Sequence, residues 1–154
     1  MTHLQVGDKA PEFNVQNCLE QNVQLSDFKG KKLILFFYPK AMTAGCTAET
    51  VNLATHYKML QEKGFEVLGV SPDTLAKQKR FKEKKEVPFS LIPDETKNII
   101  LKYGVWGPKK LYGRVYDGLH RTTFIIDEDG YIEHIIKKVK TKAHSEQILA
   151  LYQP

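Results

Sequence analysis

Two stretches of the chain, Leu33-Ile-Leu-Phe-Phe-Tyr38 and Phe65-Glu-Val-Leu-Gly-Val-Ser71, lack the polar alternation of a half-exposed strand and read as strands buried on both faces. Pro39 ends the first. Between them Leu53, Tyr57 and Leu60 recur at i, i+4 and i+7, which predicts a helix from Cys46 to about Lys63, with Gly64 as its stop. A basic helix from about Thr74 to Lys85, a short strand at Ser90 to Ile92 and a helix from Glu95 to Tyr103 follow. Trp106 to Gly118 reads as a loop. Arg121 to Asp127 and Tyr131 to Val139 then form a hairpin across Asp127-Glu-Asp-Gly130, whose Asp-Gly pair favours a tight turn. A helix from about His144 to Tyr152 closes the chain. Ahead of all this, Glu12 to Gln16 and Val23 to Leu25 make a hairpin with Cys18 at its turn, and Ser26 to Gly30 a capped helical turn. The order of elements predicts one α/β domain over residues 1–154, a mixed central sheet flanked by helices on both faces.

This pattern places Cys46 where a strand hands over to a helix. Cys46 lies two helical turns before Leu53, hence on nearly the same face, and is expected to point toward the sheet from the first turn. Unpaired backbone N–H groups and the positive end of the helix dipole favour an anion there, and a thiol reacts as its thiolate. Gly45 permits close backbone approach, and Thr43 supplies a hydroxyl near the sulfur. A free cysteine is also commonly a small apolar core residue, and spacing alone leaves both readings open.

Composition narrows the remaining chemistry. With 154 residues, 42% hydrophobic and 27% charged, the chain can bury one good core. Two cysteines without a Cys-x-x-Cys pair make no disulfide framework. The amino terminus shows no basic-then-apolar leader and no apolar run is long enough for a membrane span, so reduced thiols and a cytoplasmic protein are expected. The formal charge of +5 gathers in Lys77-Gln-Lys-Arg-Phe-Lys-Glu-Lys-Lys-Glu86, where helical periodicity and interrupting glutamates read as a solvated face rather than a nucleic-acid site. The five histidines show no metal-ligand spacing, and no metal or cofactor is expected.

The segment Pro39-x-x-x-Thr43-x-x-Cys46 resembles the signature of the peroxiredoxins. Val6-Gly-Asp-Lys-Ala-Pro-Glu-Phe13, Leu25-Ser-Asp-Phe-Lys-Gly-Lys31, Phe37-Tyr-Pro-Lys40, Gly104-Val-Trp-Gly107 and His120-Arg-Thr-Thr-Phe-Ile-Ile-Asp127 extend the similarity to the bacterioferritin comigratory protein (peroxiredoxin Q) branch. The resemblance implies a thioredoxin-like fold and reduction of hydrogen peroxide and organic hydroperoxides by a thiol, without metal, haem or flavin. It makes Cys46 the peroxidatic cysteine, Thr43 the hydroxyl that orients peroxide and Pro39 a shield against solvent. Arg121 becomes the cation that supports the thiolate and Glu49 the carboxylate that holds the arginine. Its partners are hydroperoxide substrates and thioredoxin or another thiol reductant, with the protein a monomer or weak homodimer.

Departures from the branch matter as much. Ala44 stands where many members have proline, and Val51 where many carry a resolving cysteine five residues after the first. Thr74 to Glu86, the other helix that can hold one, contains no cysteine. A one-cysteine mode with an external thiol is therefore expected, against a two-cysteine mode using Cys18 or a non-enzymatic redox-regulated binding or chaperone module. A disulfide reductase would need a second cysteine where Glu49 stands.

Overall fold

The computed structural model describes residues 2–153. Strands β1 (Asn14–Gln16) and β2 (Asn22–Gln24) form the expected amino-terminal hairpin, followed by a 3-10 turn at Leu25–Phe28. The central sheet has five strands in the order β5-β4-β3-β8-β9. Strands β3 (Lys32–Phe37), β4 (Phe65–Ser71) and β5 (Ser90–Pro93) are parallel, whereas β8 (Thr122–Ile126) and β9 (Ile132–Ile136) run antiparallel on the other side of β3. The mixed sheet is thus the one the apolar runs imply, and β3, at its centre, has Leu33 to Phe37 entirely buried.

Side chains of β3 alternate between two cores. Leu33, Leu35 and Phe37 face a cluster closed by Ile99 and Ile100 of α4 (Asn98–Lys102) and by Tyr103. Ile34 and Phe36 face a second cluster, closed by Leu53 of α1 (Ala44–Thr55), Leu60 of α2 (Tyr57–Glu62), Phe81 of α3 (Leu75–Lys84) and Ile148 of α5 (His144–Ala150). Each fully buried Leu, Ile or Phe contributes about 1.5–3 kcal/mol of transfer free energy. Helices cover both faces, as the order of elements requires.

Three expectations need correction. The helix drawn from Cys46 to Lys63 begins earlier, with Thr43 at its N-cap position, and breaks at His56, whose ring Nδ1 sits 2.8 Å from the Asn52 carbonyl and competes for the acceptor that continues the helix. The helix expected from Glu95 is only α4. Lys97 takes a left-handed backbone (φ 61°), and the Asp94 carboxylate accepts the Ile100 N–H at 2.8 Å, so residues 95–97 are spent on a turn. The expected loop from Trp106 is a second hairpin, β6 (Trp106–Leu111) with β7 (Arg114–Leu119). Tyr112 and Gly113 both have positive φ, the geometry of a two-residue turn, while most of the ribbon is exposed on both faces and so lacks alternation. The β8–β9 connection is the tight turn expected: the Gly130 N–H donates to the Asp127 carbonyl at 3.1 Å, Gly130 takes a positive φ (92°), and Asp127 Oδ1 accepts the N–H groups of Asp129 and Tyr131.

Around the buried Gln78 and Phe81 of α3, the cations Lys77, Lys79, Arg80 and Lys84 are exposed. Helix α1 is tied to α5 by Asn52, whose Oδ1 accepts the Ser145 N–H at 2.7 Å and whose Nδ2 donates to the Lys142 carbonyl at 3.2 Å. Among the described residues no helix is long and apolar enough to cross a membrane.

Candidate active site

The carboxyl end of β3 runs into Tyr38 and Pro39, and the chain then turns through residues 40–43 into α1. That turn is anchored from below. The Ala41 N–H donates to Asp73 Oδ2 at 2.7 Å, and the same oxygen accepts the Ser71 hydroxyl at 2.7 Å, so the end of β4 holds the segment that carries the cysteine. Met42 takes a left-handed backbone (φ 71°) at the sharpest part of the turn. Thr43 is the N-cap of α1, which makes Cys46 its third residue.

Cys46 is fully buried on the face it shares with Leu53, as the seven-residue spacing requires. Arg121 immediately precedes β8, and the pairing of Phe37 with Thr122 brings it beside the end of β3. Its fork is divided: Nη2 donates to Cys46 Sγ at 3.2 Å and Nη1 to Glu49 Oε1 at 2.6 Å. Gly45 leaves room for this approach, since a Cβ there would sit 3.3 Å from Nη2. Burial pulls the guanidinium down, but the neighbouring Glu49 and Cys46 outweigh it and hold Arg121 above its ordinary range. Glu49 has no exposed surface, and burial pushes its carboxyl up to about 7 against the opposing pull of Arg121.

Cys46, Arg121 and Glu49 are thus joined by direct contacts. Thr43 is exposed, and its hydroxyl donates to the Lys40 carbonyl at 2.7 Å rather than to the sulfur, leaving its lone pairs outward as acceptors. Pro39 is half-buried between buried Tyr38 and exposed Lys40. A cavity of about 210 Å³ lined by Ala10, Leu33, Ile126 and Tyr131 lies at the opposite end of β3 and holds none of these groups. Two neighbours of the site were not read from the sequence: Asp73, signalled only by its place just after a buried strand, and His144, which with Ile148 makes one buried face of α5.

Cys18 is buried elsewhere. Its N–H donates to the Leu91 carbonyl at 2.9 Å, outside the edge strand β5. Three inter-strand steps of about 4.8 Å separate that position from β3, roughly 14 Å of sheet width. Burial pushes the Cys18 thiol up, only partly offset by the nearby Lys82.

A thiol on the first turn of a helix beside a divided guanidinium is the arrangement of a thiol peroxidase, and comparison with known proteins agrees. The AhpC/TSA family model matches residues 6–135. The chain belongs to this family, the peroxiredoxins, which reduce hydroperoxides with a cysteine thiol. Peroxiredoxin Bcp of Escherichia coli is 42% identical over 149 residues, covering 97% of this chain and 96% of the relative. A cysteine-to-serine variant of PrxQ from Xylella fastidiosa superposes with a TM-score of 0.90 at 26% identity, covering 99% of this chain and 97% of the other. Bacterioferritin comigratory protein of Xanthomonas campestris, studied for its alkyl peroxide reduction activity, matches with a TM-score of 0.85 at 25% identity over 98% and 96% of the two chains. The fold is thioredoxin-like, and within the family the chain falls in the Bcp, or peroxiredoxin Q, branch.

Proposed function

We propose that Cys46 is the peroxidatic nucleophile of a one-cysteine peroxidase acting on hydrogen peroxide and alkyl hydroperoxides. The observation that carries this is the 3.2 Å contact from Arg121 Nη2 to Cys46 Sγ, in a helix that contains no second cysteine. The Cys46 thiolate attacks the terminal oxygen of ROOH, the S–O bond forms as the O–O bond breaks, and the departing alkoxide takes a proton to become ROH. Arg121 donates to the peroxide oxygens as negative charge moves onto the leaving group. The outward lone pairs of Thr43 accept the O–H of the incoming hydroperoxide, and Pro39 screens the sulfur from bulk water.

The product is a Cys46 sulfenic acid. An external thiol condenses with it, releasing water and leaving a mixed disulfide, and a second thiol frees Cys46. Thioredoxin or another thiol reductant fills that role, in the cytoplasm, with the enzyme a monomer or weak homodimer. Cys18 takes no part in this cycle: it lies beyond β5, roughly 14 Å of sheet width from β3, the strand that leads into the Cys46 turn, whereas a disulfide reaches roughly 7 Å between Cα atoms.

The experiment is to add one equivalent of peroxide to reduced protein, follow with a sulfenic-acid trapping reagent and weigh the intact chain. A trapped adduct on Cys46 in most molecules is expected. Rapid, quantitative appearance of a Cys18 to Cys46 disulfide, within a chain or between two, would sink the one-cysteine assignment. Val51→Cys restores a thiol on an exposed site of α1 five residues on, so trapping should fall and an intramolecular disulfide appear once the first helical turn opens enough to bring the sulfurs to bonding distance.

A further inference from the structure

Behind the sulfur lies a buried layer that the roles above leave unused. The two oxygens of Glu49 are treated differently: Oε1 takes the bond from Arg121, while Oε2 has no hydrogen-bond partner. His144 Nε2 lies 3.5 Å from Oε2, and both residues have no exposed side-chain surface. The far side of the ring sets its tautomer. Gln147 Oε1 accepts the Lys140 N–H at 2.9 Å and Gln147 Nε2 donates to the Lys138 carbonyl at 2.9 Å, which fixes the amide's orientation. His144 Nδ1, 3.0 Å from that Oε1, therefore carries the ring proton. Nε2 is left as an acceptor and takes the Thr123 hydroxyl at 2.8 Å.

An ionised Oε2 would face a ring-nitrogen lone pair in a sealed pocket that offers it no donor, and an unpaired carboxylate oxygen is costly to bury. A proton on Oε2 turns the same contact into a donor that shares the one lone pair of Nε2 with the Thr123 hydroxyl. We propose that His144 is a positioning residue of the peroxidatic site: together with Thr123 it holds Glu49 as the neutral acid, its proton on Oε2, so that Arg121 keeps its full charge for Cys46 and the peroxide. Glu49 still orients Arg121 through Oε1, but as a neutral acceptor rather than a counter-ion. The division of the fork agrees, since a carboxylate counter-ion commonly draws both arms of an arginine.

Charge balance points the same way. Burial pushes Glu49 up to about 7 and His144 down to about 4, so the pair holds its one proton on the carboxyl below neutrality. The groups facing the pair are Cys46 on α1, Arg121 ahead of β8, and Glu146 on α5, which is exposed and 3.5 Å from His56. Tyr38, after β3, lies on the sulfur's side with its hydroxyl on Gln78. None of them supplies Oε2 with a donor.

The test is carboxyl ¹³C NMR of the reduced full chain labelled at glutamate. One resonance, absent from Glu49→Gln, is expected to titrate near 7, against the ordinary 4.5. His144→Gln offers Oε2 an N–H donor in place of a lone pair, favours the carboxylate, and should move that midpoint down. The consequence for chemistry rests on Cys46 being the nucleophile: the rate of peroxide attack per thiolate should fall as pH rises through about 7, and Glu49→Gln should lack that limb. If every glutamate of the wild type titrates at the ordinary value, if the midpoint is unmoved in His144→Gln, or if Glu49→Gln keeps the limb, the proposal is overturned. The NMR measurements need no peroxide and no variant for their first result, so they succeed or fail independently of the role of Cys46.

Discussion

Cys46→Ser is expected to reduce peroxide no faster than a protein-free blank with dithiothreitol as reductant. A serine hydroxyl is ionised to a negligible extent near neutrality, and its oxygen is far less polarisable than sulfur toward a peroxide oxygen. The variant keeps the fold, because the serine oxygen occupies the same buried position and still accepts from Arg121 Nη2. A thermal melt close to that of the parent would show this, so the lost rate cannot be assigned to unfolding. Cys18→Ser, on the far side of β5, should turn over like the parent. Peroxide consumption by Cys46→Ser at a substantial fraction of the parental rate would place the nucleophile elsewhere.

Arg121→Ala is the second large effect. Its removal takes away the cation bonded to the sulfur and the proposed donor to the leaving oxygen, and the loss of one preorganised donor of this kind costs on the order of 10²-fold or more in rate. It also strips Glu49 Oε1 of the hydrogen bond from Nη1. Arg121→Lys should recover only part of the rate, since an ammonium cannot reach Sγ and Oε1 with two fixed arms at once. Stopped-flow measurement of the peroxide reaction, separate from the reductant step, gives the number. An Arg121→Ala rate within a few-fold of the parent would remove the arginine from the mechanism.

The parts of the molecule that were legible before its structure are those whose placement depends on local periodicity. β3 and β4 are buried on both faces, and apolar runs without polar alternation say so; Cys46 and Leu53 share a face because their spacing is two helical turns. Arg121 is different. Its position beside the sulfur depends on the antiparallel register of β8 on β3, which no local pattern encodes, and only the resemblance pointed to it. The β6–β7 ribbon escaped because polar and apolar side chains alike project into solvent along it, erasing alternation. His144 escaped because its burial comes from α5 folding back over α1, a contact between segments far apart in the chain. Its spacing from Ile148 was visible, and on a short helix that marks only a buried face.

The Asn52 tether between α1 and α5 bears on how long such an enzyme lasts. In a protein whose second cysteine must be reached by unwinding, a stiff first helix would slow every cycle; with valine at position 51 there is nothing to unwind toward, and rigidity carries no kinetic penalty. In the one-cysteine cycle proposed above, the oxidised sulfur stays in the same pocket that welcomes peroxide. Each turnover becomes a race at one address between an arriving thiol and a second oxidant molecule, whose win yields the sulfinic acid that is normally a dead end. The lifetime of the catalyst is then governed by the ratio of reductant to peroxide, and doubling both together should leave the number of turnovers before inactivation unchanged.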